Sequence, residues 1–261
     1  MASSTSPAGQ PVKSADRVLE ILEHLAVSGQ RRSLSALHTD LGIPKSSLHG
    51  ILRTMQQRGW IETDETGSRF GLGVRALLVG TSYIDADDVV ELTRHTMDAL
   101  ASRTGETVHL GRLDGTEIVY LATRQSVHSL RMFSRVGRRL PAHATAMGKA
   151  LLAHCGDDDL ATRLPRHLAG LTDATITDHR ALRDELERIR TQGYALDREE
   201  GTPGIRCIAV PLMRGGQPRD AISISVPAVR MDAGREAELI GLLGEEAART
   251  VSPRPTGDQA R

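Results

Sequence analysis

Between Pro44 and Gly59 the side chains of Lys45, Ser46, Ser47, His49, Arg53 and Arg58 supply three fixed positive charges, two hydroxyls and an imidazole, with no acid among them. Short hydrogen-bonding groups beside cations suit base edges flanked by phosphates, because a helix backbone enters a groove only where its first-turn side chains are small. A second set of candidate residues lies far downstream. In AISISV, Ser223 and Ser225 share one face of an extended run while Ile222, Ile224 and Val226 take the other. Two adjacent hydroxyls can donate to a carboxylate, although the same alternation also describes a solvent-facing edge strand. In LDREEGTPGIRCIAVPL, Asp197 and Cys207 stand either side of a Gly/Pro turn, and in LPAHATAMGKALLAH a capping Thr145 precedes Ala146, Met147 and Gly148, whose free amides could bind an anion. Cys207 also fits as a small core hydrophobe. Read together, these three stretches point to a pocket for a small anion or hydroxy acid.

Catalysis finds less support. No nucleophile is paired with a base, and no strand-turn-helix elbow is present to activate one. Gly148-Lys149 is not a phosphate loop, since His143 stands where the loop needs its first glycine. His109 and His143 have no partner at metal-binding spacing, and Cys155 and Cys207 form no CxxC pair, so no metal and no cofactor is expected. A thiol redox sensor using Cys155 or Cys207 is the alternative to ligand sensing. Only Arg206 stands near as a cation that could activate a thiol.

The basic cluster needs elements to present it. Ser33 can cap a helix with Leu34, Leu37 and Leu41 on one face, Gly42 ends that helix, and Ile43 fills the angle. Pro44 then sits where the start of a helix tolerates proline, and Leu48, Ile51, Leu52 and Met55 form a buried stripe opposite the polar face. This is the spacing of a helix-turn-helix, which an ordinary helical hairpin would share. Trp60 and Ile61, the acidic turn ETDETG and the return Arg69 to Leu72 add a wing, with Trp60 in the core and Arg69 placed for a phosphate or the minor groove. An earlier helix opening near Ser14 brings Val18, Ile21, Leu22 and Leu25 to cover the pair.

The whole chain, 261 residues with 39% apolar content, has room for two modest cores, and its net charge is zero. Basic charge is therefore local. From Arg31 to Trp60 five cations, Arg31, Arg32, Lys45, Arg53 and Arg58, face the single acid Asp40. No run approaches a membrane span or a signal segment, so a cytoplasmic protein with no membrane partner is expected. Residues 1–12 and 252–261 read as disordered tails, residues 13–73 as the winged module and 74–86 as a linker helix whose apolar side chains should pack on a second subunit. Residues 87–251 read as an α+β domain with helices around an antiparallel sheet. There, strands are expected at Thr107 to Leu113, Glu117 to Thr123, Leu130 to Ser134, Tyr194 to Asp197, Ile205 to Met213 and Ala221 to Pro227. Helices are expected at Ala144 to Cys155, around Leu160, at His179 to Gln192 and at Ala233 to Val251.

From SADRVLEIL to about Val251, and most specifically in LPAHATAMGKALLA, GYALDREEGTPGIRCIAVPL and AISISVP, the chain resembles the IclR (isocitrate lyase regulator) family of bacterial transcription factors. The resemblance implies an N-terminal winged helix-turn-helix, a linker helix and a C-terminal GAF-like effector-binding domain. It further implies homodimers or dimers of dimers on palindromic double-stranded operator DNA, responding to a small-molecule effector such as an organic or sugar acid. The family's pocket maps onto Ala146, Met147, Asp197, Ile205, Cys207, Ser223 and Ser225, with Leu130 and Met132 as apolar wall. Met147 is larger than the residue found in relatives that take small keto acids. On the DNA side, Lys45, Ser46, Ser47 and His49 are expected to read bases or adjacent phosphates, Arg53 and Arg69 the backbone, and Lys13 with Arg17 phosphates beside the first helix.

Overall fold

The structure is a computed structural model that describes residues 11–132 and 134–251, so the expected tails lie outside the described residues except for Pro11 and Val12. Contacts divide the chain after Ala86 into two units.

Unit 1 begins with α1 (Lys13–Ser28), β1 (Arg32–Ser33), α2 (Leu34–Leu41) and α3 (Lys45–Gln57), and continues with β2 (Ile61–Thr63), β3 (Arg69–Leu72) and α4 (Val74–Asp85). Ser33 caps α2 by accepting the Ala36 amide at 3.2 Å. Gly42, at φ 65°, takes the left-handed conformation that ends α2, a backbone state costly for other residues. Ile21, Leu25, Leu37, Ile43, Leu48, Leu52, Met55 and Ile61 close one apolar core, with Trp60 and Phe70 packed at its edge. The wing is a three-stranded antiparallel sheet in the order β1-β3-β2. Its strand β1 is two residues long, too short to leave a periodic signal. α4 buries none of its residues within unit 1, and Val74, Leu77, Leu78, Val79 and Tyr83 are all more than half exposed.

Unit 2 is built on a six-stranded antiparallel sheet. Its elements are α5 (Asp88–Thr104), β4 (Thr107–Asp114), β5 (Glu117–Arg124), β6 (Arg139–Pro141), α6 (Ala146–Leu152), α7 (Asp157–Arg163), α8 (His179–Gln192), β7 (Ala195–Arg198), β8 (Ile205–Pro211), β9 (Asp220–Pro227) and α9 (Ala233–Val251). The strand order is β6-β5-β4-β9-β8-β7. α5 and α9 cover one face of the sheet and α6, backed by α8, the other. Every residue of β9 is buried, as a central strand covered on both faces must be. Arg112 of β4 anchors the entry to this unit: its Nε donates to Asp220 Oδ1 at 2.7 Å, and its guanidinium also pairs with Asp87, whose carboxylate caps α5.

Two expectations are corrected. None of the described residues from Leu130 to Ser134 is in a strand, and the sheet's edge strand is β6 instead. Side chains take carbonyls there that a ladder would need, Arg230 donating to Leu130 O at 3.0 Å and Gln125 to Ser134 O at 3.2 Å. The helix expected from Ala144 to Cys155 is shorter, Ala146–Leu152, because Ala142–Ala144 form a 3-10 turn that Thr145 separates from it.

Candidate functional site

The polar face of α3 is open. Lys45, Ser46, His49, Arg53 and Arg58 are exposed, as are Lys13 at the start of α1 and Arg69 on β3. Among the described residues no ion pair is found for Lys45, Arg53, Arg58 or Arg69. Two of the cations counted in the sequence are not free: Arg31 pairs with Glu62 at 2.9 Å, and Arg32 pairs with Asp40, which also holds His24 at 3.1 Å. The positive field of unit 1 is thereby concentrated on α3 and the wing rather than spread over residues 31–60. Ser47 is half-buried and accepts from Arg17 Nη1 at 2.9 Å, a link between α1 and α3 that the sequence does not disclose. Asp64 orders the wing turn by accepting the Ser68 and Arg69 amides at 2.9 and 3.1 Å; the bond from Arg69 is the first cause holding its carboxyl below the usual range. That turn sets the strand on which Arg69 projects.

In unit 2 a small cavity with its mouth open to solvent lies between the sheet and the start of α6. Met132, Ala146, Met147, Asp197, Ile205, Cys207 and Ser223, all expected at the site, line it. Register explains the convergence. Asp197 lies opposite Cys207 across β7 and β8, and Cys207 opposite Ser225 across β8 and β9, so the three share one face of the sheet with Ser223. Ser225 is not on the cavity wall: buried, it hydrogen-bonds the Cys207 sulfur at 3.1 Å. Leu130 is not on the wall either and is 60% exposed.

Tyr120, Leu140, Thr145, Gly201 and Thr202 complete the lining. Tyr120 shares a strand face with Ile118, which the sequence shows; that it lies opposite Gly111 across a β-bulge is decided by register. A Cβ on Gly111 would lie 2.9 Å from Met147 Sδ, so the missing side chain is what lets Met147 seat against β4. Gly148 has a similar role, since a Cβ there would meet the Ala142 carbonyl oxygen at 2.0 Å. Thr145 Oγ1 accepts the Gly148 amide at 3.1 Å, and the first backbone bond of α6 is Lys149 N–H to Thr145 O, which leaves the Ala146 and Met147 amides ahead of the ladder.

Burial dominates the electrostatics. Asp197 is pushed up to about 7, first by desolvation and then by Glu200, against the amides of Glu200 and Gly201 and the charge of Lys149. Desolvation also raises the Cys207 thiol and the Tyr120 phenol, so both stay protonated at neutral pH. His109, fully buried, stacks on Tyr120 at 4.7 Å and is driven down to about 3, first by burial and then by Arg138. The cavity thus presents neutral donors and one carboxyl poised between its two forms. Lys149, which the sequence excludes from a phosphate loop, is instead a buried charge paired with Glu200; a lysine inside the apolar run AMGKALL is the signal for it.

Comparison with known proteins covers both units. Residues 14–65 match the model described as the IclR helix-turn-helix domain, and residues 81–253 that of the bacterial transcriptional regulator IclR C-terminal. The chain is 37% identical over 243 residues to the HTH-type transcriptional regulator BhcR of Paracoccus denitrificans (strain Pd 1222), spanning 92% of this chain and 86% of that one. It is 32% identical over 253 residues to the transcriptional repressor IclR of Escherichia coli (strain K12), spanning 95% and 92%. Among solved structures, that of the Thermotoga maritima IclR is similar with a TM-score of 0.72 and 28% identity, over 92% of this chain and 98% of that one.

Proposed function

The chain belongs to the IclR family of bacterial transcriptional regulators, and from that premise we propose that it is a repressor whose hold on a palindromic operator is set by a small organic or sugar acid bound in the unit 2 cavity. Residues 13–73 read DNA, 74–86 link, and 87–251 bind the effector. Lys45, Ser46, Ser47 and His49 meet bases or neighbouring phosphates, Arg53 and Arg69 the backbone, and Lys13 with Arg17 the phosphates beside α1. Arg17 holds Ser47 in the free protein, so base reading by Ser47 requires that pair to open or to be read as a unit.

The observation that carries the reading is the chemistry of the cavity. Ser223, Tyr120, Thr145 and a titratable Asp197 line one space too small for a macromolecule. The exposed apolar side chains of α4 support a homodimer, since a patch of that kind is seldom left to solvent. Two recognition helices bind together only if the dimer holds them about 34 Å apart. An effector that prefers one arrangement of the dimer changes operator affinity by its difference in affinity for the two arrangements. No described helix is long and apolar enough to cross a membrane, in keeping with action in the cytoplasm. The related chains named above are transcriptional regulators, in keeping with binding rather than catalysis. A thiol sensor is disfavoured, because burial pushes both Cys155 and Cys207 away from the reactive thiolate.

The test is thermal-shift screening of the full chain against glycolate, pyruvate, gluconate and 4-hydroxybenzoate, followed by operator binding with any acid that stabilises it. A ligand at a hundred times its Kd should add about 2.7 kcal/mol. The reading fails if no acid raises the melting temperature and Ser223→Ala leaves operator release by cell extract unchanged.

A further inference from the structure

Lys149 is 1% exposed, in the middle of α6. Its Nζ donates to Glu200 Oε1 at 2.6 Å and to Glu185 Oε1 at 3.3 Å. Removing such charges from water costs several kcal/mol for each ion, and an apolar pair of similar volume would commonly serve stability as well. The pair sits directly behind the cavity wall. Glu200 follows Asp197 by three residues, and its amide donates to Asp197 Oδ1 at 2.7 Å, joined by the Gly201 amide at 3.3 Å. Between them Glu199 is held at φ 70°, a left-handed conformation unfavourable for a glutamate. Thr172 and Thr175 hydroxyls donate to the Glu199 and Glu200 carbonyls, each at 2.7 Å. Oδ1 of Asp197 is therefore committed to backbone amides, and its side chain also interacts with the Cys207 thiol.

The charges around Asp197 nearly cancel without it. Glu200 approaches from its own turn, the Cys207 thiol from β8, the Tyr120 phenol from β5 and Lys149 from α6, with Glu185 and its partner Arg188 of α8 behind Lys149. Lys149 is answered by Glu200, and Glu185 by Arg188. An ionised Asp197 is then a surplus buried anion, and a bound carboxylate would be a second one beside it. Glu200 also keeps one oxygen, Oε2, without a hydrogen-bond partner among the described residues, so its charge is incompletely screened from Asp197.

We propose that Lys149 and Glu200 are positioning residues for the cavity: their buried ion pair fixes the Asp197–Gly201 turn and lets Asp197 meet an acidic ligand as a hydrogen-bond donor rather than as a fixed anion. The ligand class rests on the effector reading above; the positioning does not. Binding of a carboxylate then brings one proton onto Asp197, and affinity for acids falls as pH rises through neutrality.

The experiment follows the Asp197 side-chain carboxyl by ¹³C NMR in full-length protein from pH 3 to 9, the resonance being assigned by its loss in Asp197→Asn. Wild-type protein should titrate near 7. Glu200→Gln removes the like charge and should lower the midpoint by about one pH unit. Glu200→Gln with Lys149→Met removes both charges and should lower it by less, because the favourable cation is lost as well. Should the single variant not fold, the double one, an exchange that buried pairs commonly tolerate, carries the test. A wild-type midpoint near 4, or an unchanged midpoint in whichever variant folds, overturns the proposal; a purely structural pair would change the melting temperature and not the midpoint. In parallel, glycolate and 4-hydroxybenzoate are added at pH 6 and pH 8, and an acid that binds should stabilise more at pH 6. If the midpoints move as stated while no acid binds at either pH, the acid-effector reading fails and the positioning assignment stands.

Discussion

The two working surfaces of this chain handle charge in opposite ways. On α3 and the wing, Lys45, Arg53, Arg58 and Arg69 are exposed and without an acidic partner among the described residues, while Arg31 and Arg32 beside them are neutralised. In the cavity, charge is buried and nearly balanced, with Lys149 against Glu200 and Asp197 held near its half-protonated point. The contrast follows from the ligands. DNA is a long polyanion whose counterions are released to a cationic face, so unpaired exposed cations are useful in proportion to their number. A small molecule is bound by a few donors out of water, where one unbalanced charge outweighs several hydrogen bonds.

That contrast can be broken most forcefully at Arg112, which is largely enclosed between Asp87 and the buried Asp220. Arg112→Met leaves the buried Asp220 and the half-buried Asp87 without their shared cation and should cost about 3 kcal/mol in urea denaturation, whereas an exposed cation such as Arg58→Met should change stability by less than about 0.5 kcal/mol. A loss at Arg112 as small as at Arg58 would remove the distinction between the two regions. The next effect is at Asp197. Its folded pKa lies above its unfolded value, so its favourable contribution is complete below about pH 4 and is lost as pH rises through about 7. Asp197→Asn should therefore gain on wild type across that window, by a few kcal/mol at most, in melts at pH 4, 6 and 8.

On the DNA side, His49→Ala should lose about 1–3 kcal/mol on sites selected from random sequence and little on non-specific DNA. Arg53→Ala should weaken both alike and reduce the salt slope by about 0.9, as one phosphate contact does. Equal losses for the two variants on both kinds of DNA would mean that α3 contributes charge only. A smaller effect is expected of Ser33→Ala. Losing the cap of α2 should destabilise unit 1 by about 1 kcal/mol and leave the titration of Asp197 unchanged.

Much of unit 1 was legible because local signals agreed with one another. Ser33, Gly42 and Pro44 mark helix ends, and the stripe Leu48, Leu52, Met55 has the period of a helix lying on a core. The strand β1 and the Arg17–Ser47 bond were not legible, the first because two residues carry no period, the second because its partners are thirty residues apart. In unit 2 the alternation of AISISV was readable, and with it the shared face of Ser223 and Ser225. Which of the two serines reaches the cavity was not, since both occupy the same face and differ only in what lies opposite. Leu130 to Ser134 misled because its residue types suit a strand while its carbonyls are taken by Arg230 and Gln125.

By itself the sequence determined the order of the two modules, the third helix with its cationic face, the antiparallel character of the second domain and five of the residues that line its cavity, Ala146, Met147, Asp197, Cys207 and Ser223, because helix caps, periodicity and strand alternation act over a few neighbouring residues. Tertiary structure alone decided which cations remain unpaired, that Tyr120 and Gly111 meet across a bulge, and that Lys149 stands behind Asp197 through Glu200. Those outcomes depend on register and on burial, and both are set by segments that meet in space after being far apart in the chain.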